Sequence, residues 1–120
     1  MKVLVTGSRR GINEAAVVQR LSALRVEHPD LEVIVGDAPQ GADFFCAIAC
    51  EALGIPYRVF KAKWRSGGKY NPLAGHDRNQ AMVNEAPDRA IAFWNGTSTG
   101  TKDCMDRAFC AGIPIEVVHS

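Results

Sequence analysis

Three segments of this chain carry the residue types that hold an anion. Gly7-Ser8-Arg9-Arg10-Gly11 combines glycines, which let backbone N–H groups approach a negative group, with arginines that donate paired bonds to it. It has neither the Gly-Lys-Ser/Thr of a Walker loop nor Gly-x-Gly-x-x-Gly, and a tight turn with exposed arginines would use the same residues. Thr97-Ser98-Thr99-Gly100-Thr101 offers four hydroxyls around one glycine at a helix start. A phosphate would sit there on the first N–H groups of the helix. The competing use is a cap, with Ser98 or Thr99 capping and Asp103 complementing the dipole, but a cap needs only one hydroxyl. The third segment is Gly36-Asp37-Ala38, followed by Gly41-Ala42-Asp43. An acid at the end of a strand, such as Asp37, can take ribose hydroxyls, and Asp43 suits a first helical turn.

Other residues could complete such a site. Trp94, before Asn95-Gly96, could cover a base or ribose, or be a large core residue. Arg78 and Asn79, in His76-Asp77-Arg78-Asn79-Gln80, stand near the start of a helix that carries Ala81, Met82 and Val83 into the core. Residues 61–75 form the longest irregular connection, where Lys61, Lys63, Arg65 and Lys69 interleave with Trp64 and Tyr70. That mixture suits a lid over an anionic aromatic ligand, a grip on single-stranded nucleic acid, or a solvated basic loop. Cys46, Cys50, Cys104 and Cys110 match no zinc spacing and read as small buried hydrophobes. Neither a metal nor a cofactor is expected.

The elements that must position these segments follow from periodicity. Short apolar strands are expected at Lys2–Thr6, Leu31–Val35, Tyr57–Phe60, Ala90–Trp94 and Ile115–Val118. Between them run amphipathic helices: Asn13 caps one with Val17, Leu21 and Leu24 on its apolar face. Ala42, Phe45, Cys46, Ala49 and Leu53 line another, and residues 101–111 form the last. Gly54-Ile55-Pro56 and Gly112-Ile113-Pro114 repeat the order helix, Gly stop, strand. Strands alternating with helices specify a three-layer α/β sandwich, whose ligands bind beyond the carboxyl ends of the strands. All three polar segments fall at that edge.

The chain has 120 residues, enough for one domain spanning 1–120. Hydrophobic residues make up 47% and charged residues 22%, which excludes disorder. Fourteen basic against thirteen acidic residues leave a formal net charge of +1, which argues against a nucleic-acid partner. No apolar run reaches the ~20 residues of a membrane span, and the start has no signal-peptide core, so a cytoplasmic protein is expected.

Taken in order, Met1–Arg9, Gly36-Asp37-Ala38 with Gly41-Ala42-Asp43, His76-Asp77-Arg78-Asn79 with Met82, and Trp94-x-Gly96-x-Ser98-x-Gly100-Thr101 resemble the SLOG (SMF/DprA–LOG) superfamily. The resemblance covers nearly the whole chain and is to the small YspA/YpsA-related branch, found in bacteria and phages. It implies a Rossmann-like sandwich with a mainly parallel five-stranded sheet, order 3-2-1-4-5 counting strands along the chain. It also implies binding of a nucleotide or a nucleotide-derived ligand (ribose-phosphate, ADP-ribose or NAD-like) by a sensor or sequestering module, with a homodimer as one state of assembly. The expected binding residues are Gly7, Ser8, Arg9, Gly36, Asp37, Ala38, Asp43, Arg78, Asn79, Trp94, Asn95, Gly96, Ser98, Gly100 and Thr101. The superfamily's phosphoribohydrolases resemble an alternative, a nucleotide N-glycosidase, whose catalytic groups here would be Asp37, Asp43, Asp103 and Arg78. Ser98, Gly100 and Thr101 match the phosphate motif of those enzymes. Their glutamate, however, falls on Cys104, and the lysine of their Arg-Lys pair on Asn79. Cysteine cannot stabilise an oxocarbenium-like state as a carboxylate does, so binding is favoured over hydrolysis.

Overall fold

Val3, Leu4 and Val5 are fully buried because the strand that carries them lies in the middle of a sheet covered on both faces. The computed structural model describes residues 1–119. Its elements are β1 (Lys2–Gly7), α1 (Glu14–Glu27), β2 (Glu32–Gly36), α2 (Ala42–Leu53), β3 (Tyr57–Phe60), β4 (Arg65–Ser66), β5 (Lys69–Tyr70), α3 (Ala74–Asn84), β6 (Arg89–Trp94), α4 (Thr99–Cys110) and β7 (Ile115–His119). Five parallel strands pair in the order β3-β2-β1-β6-β7, which is the order expected for the five strands read from the sequence. The chain first winds outward from β1 to β3, then returns to pair β6 against the free side of β1. The order therefore reverses between β1 and β6, where an open α/β sheet leaves a crevice.

Alternation along the strands builds the two cores. Val3, Val5, Val33, Val35, Ile91 and Phe93 face α1 and α2, meeting Val17, Leu21, Leu24, Cys46 and Ala49. Leu4, Ile34 and Ala90 face the other way and meet Met82, Val83, Cys104 and Ala108 of α3 and α4. The result is a three-layer sandwich. Asn13 caps α1 through its Oδ1, which accepts from the Ala15 amide at 2.9 Å. Among the described residues, no helix is long and apolar enough to cross a membrane.

Three local expectations need correction. The 61–75 connection is not irregular throughout, because β4 and β5 pair as a small antiparallel hairpin around Gly67-Gly68. Both glycines have positive φ, the condition for a two-residue turn between twisted strands. Ala81 is exposed, since the buried face of α3 is Ala74, Asn79, Met82 and Val83. Cys110 is likewise exposed near the end of α4, whereas Cys46, Cys50 and Cys104 are buried.

Candidate functional site

Because the strands are parallel, each strand-to-helix connection lies at the carboxyl edge of the sheet. All four helix N-termini gather there. A cavity of about 620 Å³ opens between them, within the usual range for a small-molecule site. Of the expected binding residues, it is lined by Gly7, Arg9, Ala38, Asp43, Arg78, Asn79, Asn95, Ser98, Gly100 and Thr101.

Two close approaches bring the walls together. A side chain at Gly7 would overlap Ala42 and lie 2.6 Å from the Phe93 carbonyl. Gly41, with φ of +77°, lies against the backbone of Ser8 and Arg9 and leaves no room for a Cβ. Ser8 is the pin between them. Its amide donates to the Phe93 carbonyl at 2.9 Å and its carbonyl accepts from the Ala42 amide at 3.1 Å. Its Oγ accepts from the Asn95 amide at 3.1 Å. Fully buried and bonded on every side, Ser8 holds the loops rather than lining the cavity, contrary to the expectation.

The β6–α4 connection is folded by Asn95. Its Oδ1 accepts from the amides of Thr97 and Ser98 at 2.9 and 3.0 Å, and its Nδ2 donates to the Arg10 carbonyl at 3.1 Å. Ser98 then caps α4, its Oγ accepting from the Thr101 amide at 3.4 Å and meeting Thr101 Oγ1 at 3.0 Å. The turn engages three of the four hydroxyls, since Thr97 Oγ1 also donates to Asn95 Oδ1 at 3.1 Å. Thr97, Thr99 and Gly100 border the cavity. Trp94 does not border it: its Nε1 donates to the Ser98 carbonyl at 3.1 Å and its ring tilts against His119. Gly96 also lies outside. Trp94 braces the turn, and Gly96 takes its left-handed backbone at φ of +87°.

Asp37, Gly36 and Arg78 form a second construction. Arg78 Nη1 donates to Asp37 Oδ1 at 2.7 Å, and its Nε donates to Asn79 Oδ1 at 3.0 Å. Asp37 Oδ2 accepts from the Ala62 amide at 3.2 Å. Both Asp37 oxygens are thus engaged, one by the arginine and one by the Ala62 amide, and Asp37 itself does not line the cavity. Gly36 is the bed, since a Cβ there would lie 2.7 Å from both Arg78 Nη1 and Asp43 Oδ2. Asn79, 3% exposed, passes the order on, donating through Nδ2 to the Gly100 carbonyl at 3.3 Å and to Asp103 Oδ2 at 3.0 Å. Asp103 also accepts from Arg107 Nε at 2.9 Å. Burial works against its charge, yet the bonds from Arg107 and Asn79 outweigh it and hold the carboxyl below its ordinary range. Asp103 therefore lies outside the cavity, tied to α3 and to its own helix.

Asp43 is the carboxylate that does line the cavity. Burial pushes its pKa up to about 6, opposed by a bond from the Ala38 amide at 3.1 Å and by the charges of Arg78 and Arg9. Cys104 is a thiol that burial pushes up to about 11. Thr6, Arg10, Gln40, Trp64, Pro72, Gly75, His76, Thr97 and Thr99 complete the wall beyond the expected set. Arg9 and Arg10 are exposed and make no ion pair among the described residues. Lys61 and Lys63 border a separate groove that shares Arg78, so these two lysines do not line the cavity that Trp64 lines.

This chain is similar to the Gene 61 protein of Mycobacterium phage D29, with 33% identity over 119 residues that cover 95% of this chain and 93% of the other. The model of the YspA, cpYpsA-related SLOG family matches residues 1–67, a stretch that includes the connections after β1 and β2. With more than half the chain matched and a relative aligned almost end to end, the protein belongs to the YspA, cpYpsA-related SLOG family.

Proposed function

We propose that the cavity at the carboxyl edge binds a nucleotide or nucleotide-derived ligand, held by its phosphate and ribose, and that the protein acts as a sensor or sequestering module. The observation that carries this reading is the charge of the wall. Arg9, Arg10 and Arg78 face one carboxylate, Asp43, and the N-terminus of α4 adds the positive end of its dipole. A phosphate-bearing anion complements that set, and Arg78, its charge already paired with Asp37, is held in place by Asp37 and Asn79 before any ligand arrives. Membership of the SLOG family supports a nucleotide-related ligand in general terms. Mass spectrometry of the full chain, purified under native conditions, tests the proposal. A co-purified phosphate-bearing nucleotide derivative is the expected result. Repeated absence of any phosphate-bearing species, with no binding when such ligands are added, would overturn it.

One observation favours a second reading. Asp43 is a desolvated acid with a pKa of about 6 at the cavity wall, where it could exchange a proton near neutrality. In that reading the protein is an N-glycosidase, Asp43 is its acid–base residue and Arg78 stabilises the phosphate. Release of free base from AMP or ADP-ribose, lost in Asp43→Asn, would support hydrolysis. Tight binding without release supports the sensor.

A further inference from the structure

We propose that Trp64, carried at the foot of the β4–β5 hairpin, is the wall on which an aromatic base stacks, so that the cavity selects base-bearing nucleotides over bare sugar phosphates. The inference rests on the anion-binding reading above and assigns the end of the cavity which that reading leaves open. Trp64 lines the cavity together with Pro72, Gly75 and His76, and 39% of it is exposed. A large aromatic surface left open inside a polar cavity invites a planar partner.

The indole is held in advance. Its ring stacks on Tyr70 with centroids 6.3 Å apart and planes 14° from parallel. Its Cη2 edge lies over Gly75, where a Cβ would come within 3.3 Å. The Trp64 carbonyl accepts from the Asn71 amide at 2.7 Å. Asn71 in turn ties the hairpin to α3, accepting from the Leu73 amide at 3.0 Å and donating to Asp77 at 3.3 Å. Little ordering remains for a ligand to impose.

Strand order places this wall relative to the anion donors. The hairpin leaves from β3 and the α4 turn from β6, three strand spacings away, about 14 Å at ~4.8 Å each. Arg78 and Asp43 meet over Gly36 at the end of β2, between the two. A nucleotide with its base on Trp64 and its phosphate toward Arg9 and Thr99 follows that line.

Calorimetric titration of the full chain with AMP and ribose 5-phosphate separates the parts. AMP is expected to bind at least tenfold more tightly and to quench tryptophan fluorescence, whereas ribose 5-phosphate leaves the fluorescence unchanged. Trp64→Ala is expected to weaken AMP roughly ten- to hundredfold, the scale of a lost base–aromatic stack, and to leave ribose 5-phosphate alone; Trp64→Phe recovers most of the loss. Equal binding of the two ligands by the unaltered protein overturns the inference while leaving the anion site standing. So does a Trp64→Ala variant that weakens both ligands alike. If neither ligand binds, the anion reading itself fails and the stacking wall fails with it.

Discussion

Asp43 shows how one residue's surroundings set its chemistry. It is 7% exposed, and the charged form loses more in solvation than the Ala38 amide and two arginines return. Its folded pKa of about 6 lies above the ordinary aspartate value, so the native state binds a proton that the unfolded chain has released. The contribution to stability is fully present below pH ~4 and is lost as the pH rises through about 6, costing about 3 kcal/mol by the linkage relation. Asp43→Asn removes that titration. Urea unfolding of the ligand-free protein is expected to show the variant gaining on the parent between pH 4 and 6.5, with a level difference above. A difference independent of pH would mean that Asp43 is solvated. Sequence identified Asp37, Asp43 and Asp103 as candidate acids by type and place, but not which were already engaged. Arg78 lies 41 residues from Asp37 along the chain, and Asn79 lies 24 from Asp103, so neither pairing leaves a local signal.

The helix ends carry the site, and α3 and α4 are locked to one another through Asn79. Its amide joins Arg78, the Gly100 carbonyl and Asp103, so one buried side chain couples the arginine to the first turn of α4. Asn79→Ala strands three polar partners and is expected to destabilise the fold by about 1–3 kcal/mol. It should also weaken phosphate-bearing ligands, since Arg78 loses its Nε partner. Thermal unfolding and calorimetry on the same sample check both, and an unchanged melting temperature would show the contact to be dispensable. At this scale periodicity carried most of the information. Strands and helices fell within one or two residues of their observed ends, because apolar runs and Gly stops are local. The β4–β5 hairpin escaped notice despite its Gly67-Gly68 signature, as strands of two residues show no alternation. Trp94 reads from the sequence as a cover over the crevice, but it lies off the cavity wall as a brace whose Nε1 donates to the Ser98 carbonyl.

Over the whole molecule, a nearly neutral chain concentrates positive charge at one edge of its sheet. The strand order could be anticipated from the family resemblance, while the crossover helices and paired Gly-Ile-Pro stops specify only the parallel sheet. Trp64 reads from the sequence as part of a connection suited to cover an aromatic ligand, and its place on the cavity wall depends on how the hairpin leans on α3. Arg9 and Arg10 give the cleanest probe, being exposed and free of ion pairs among the described residues, so their removal should spare the fold. Calorimetric titration of ADP-ribose or AMP into the parent and into the Arg9→Ala/Arg10→Ala double variant tests the anion site directly. The expected result is binding by the parent, weakened at least tenfold in the variant at unchanged melting temperature. Equal affinity in the two proteins would contradict it.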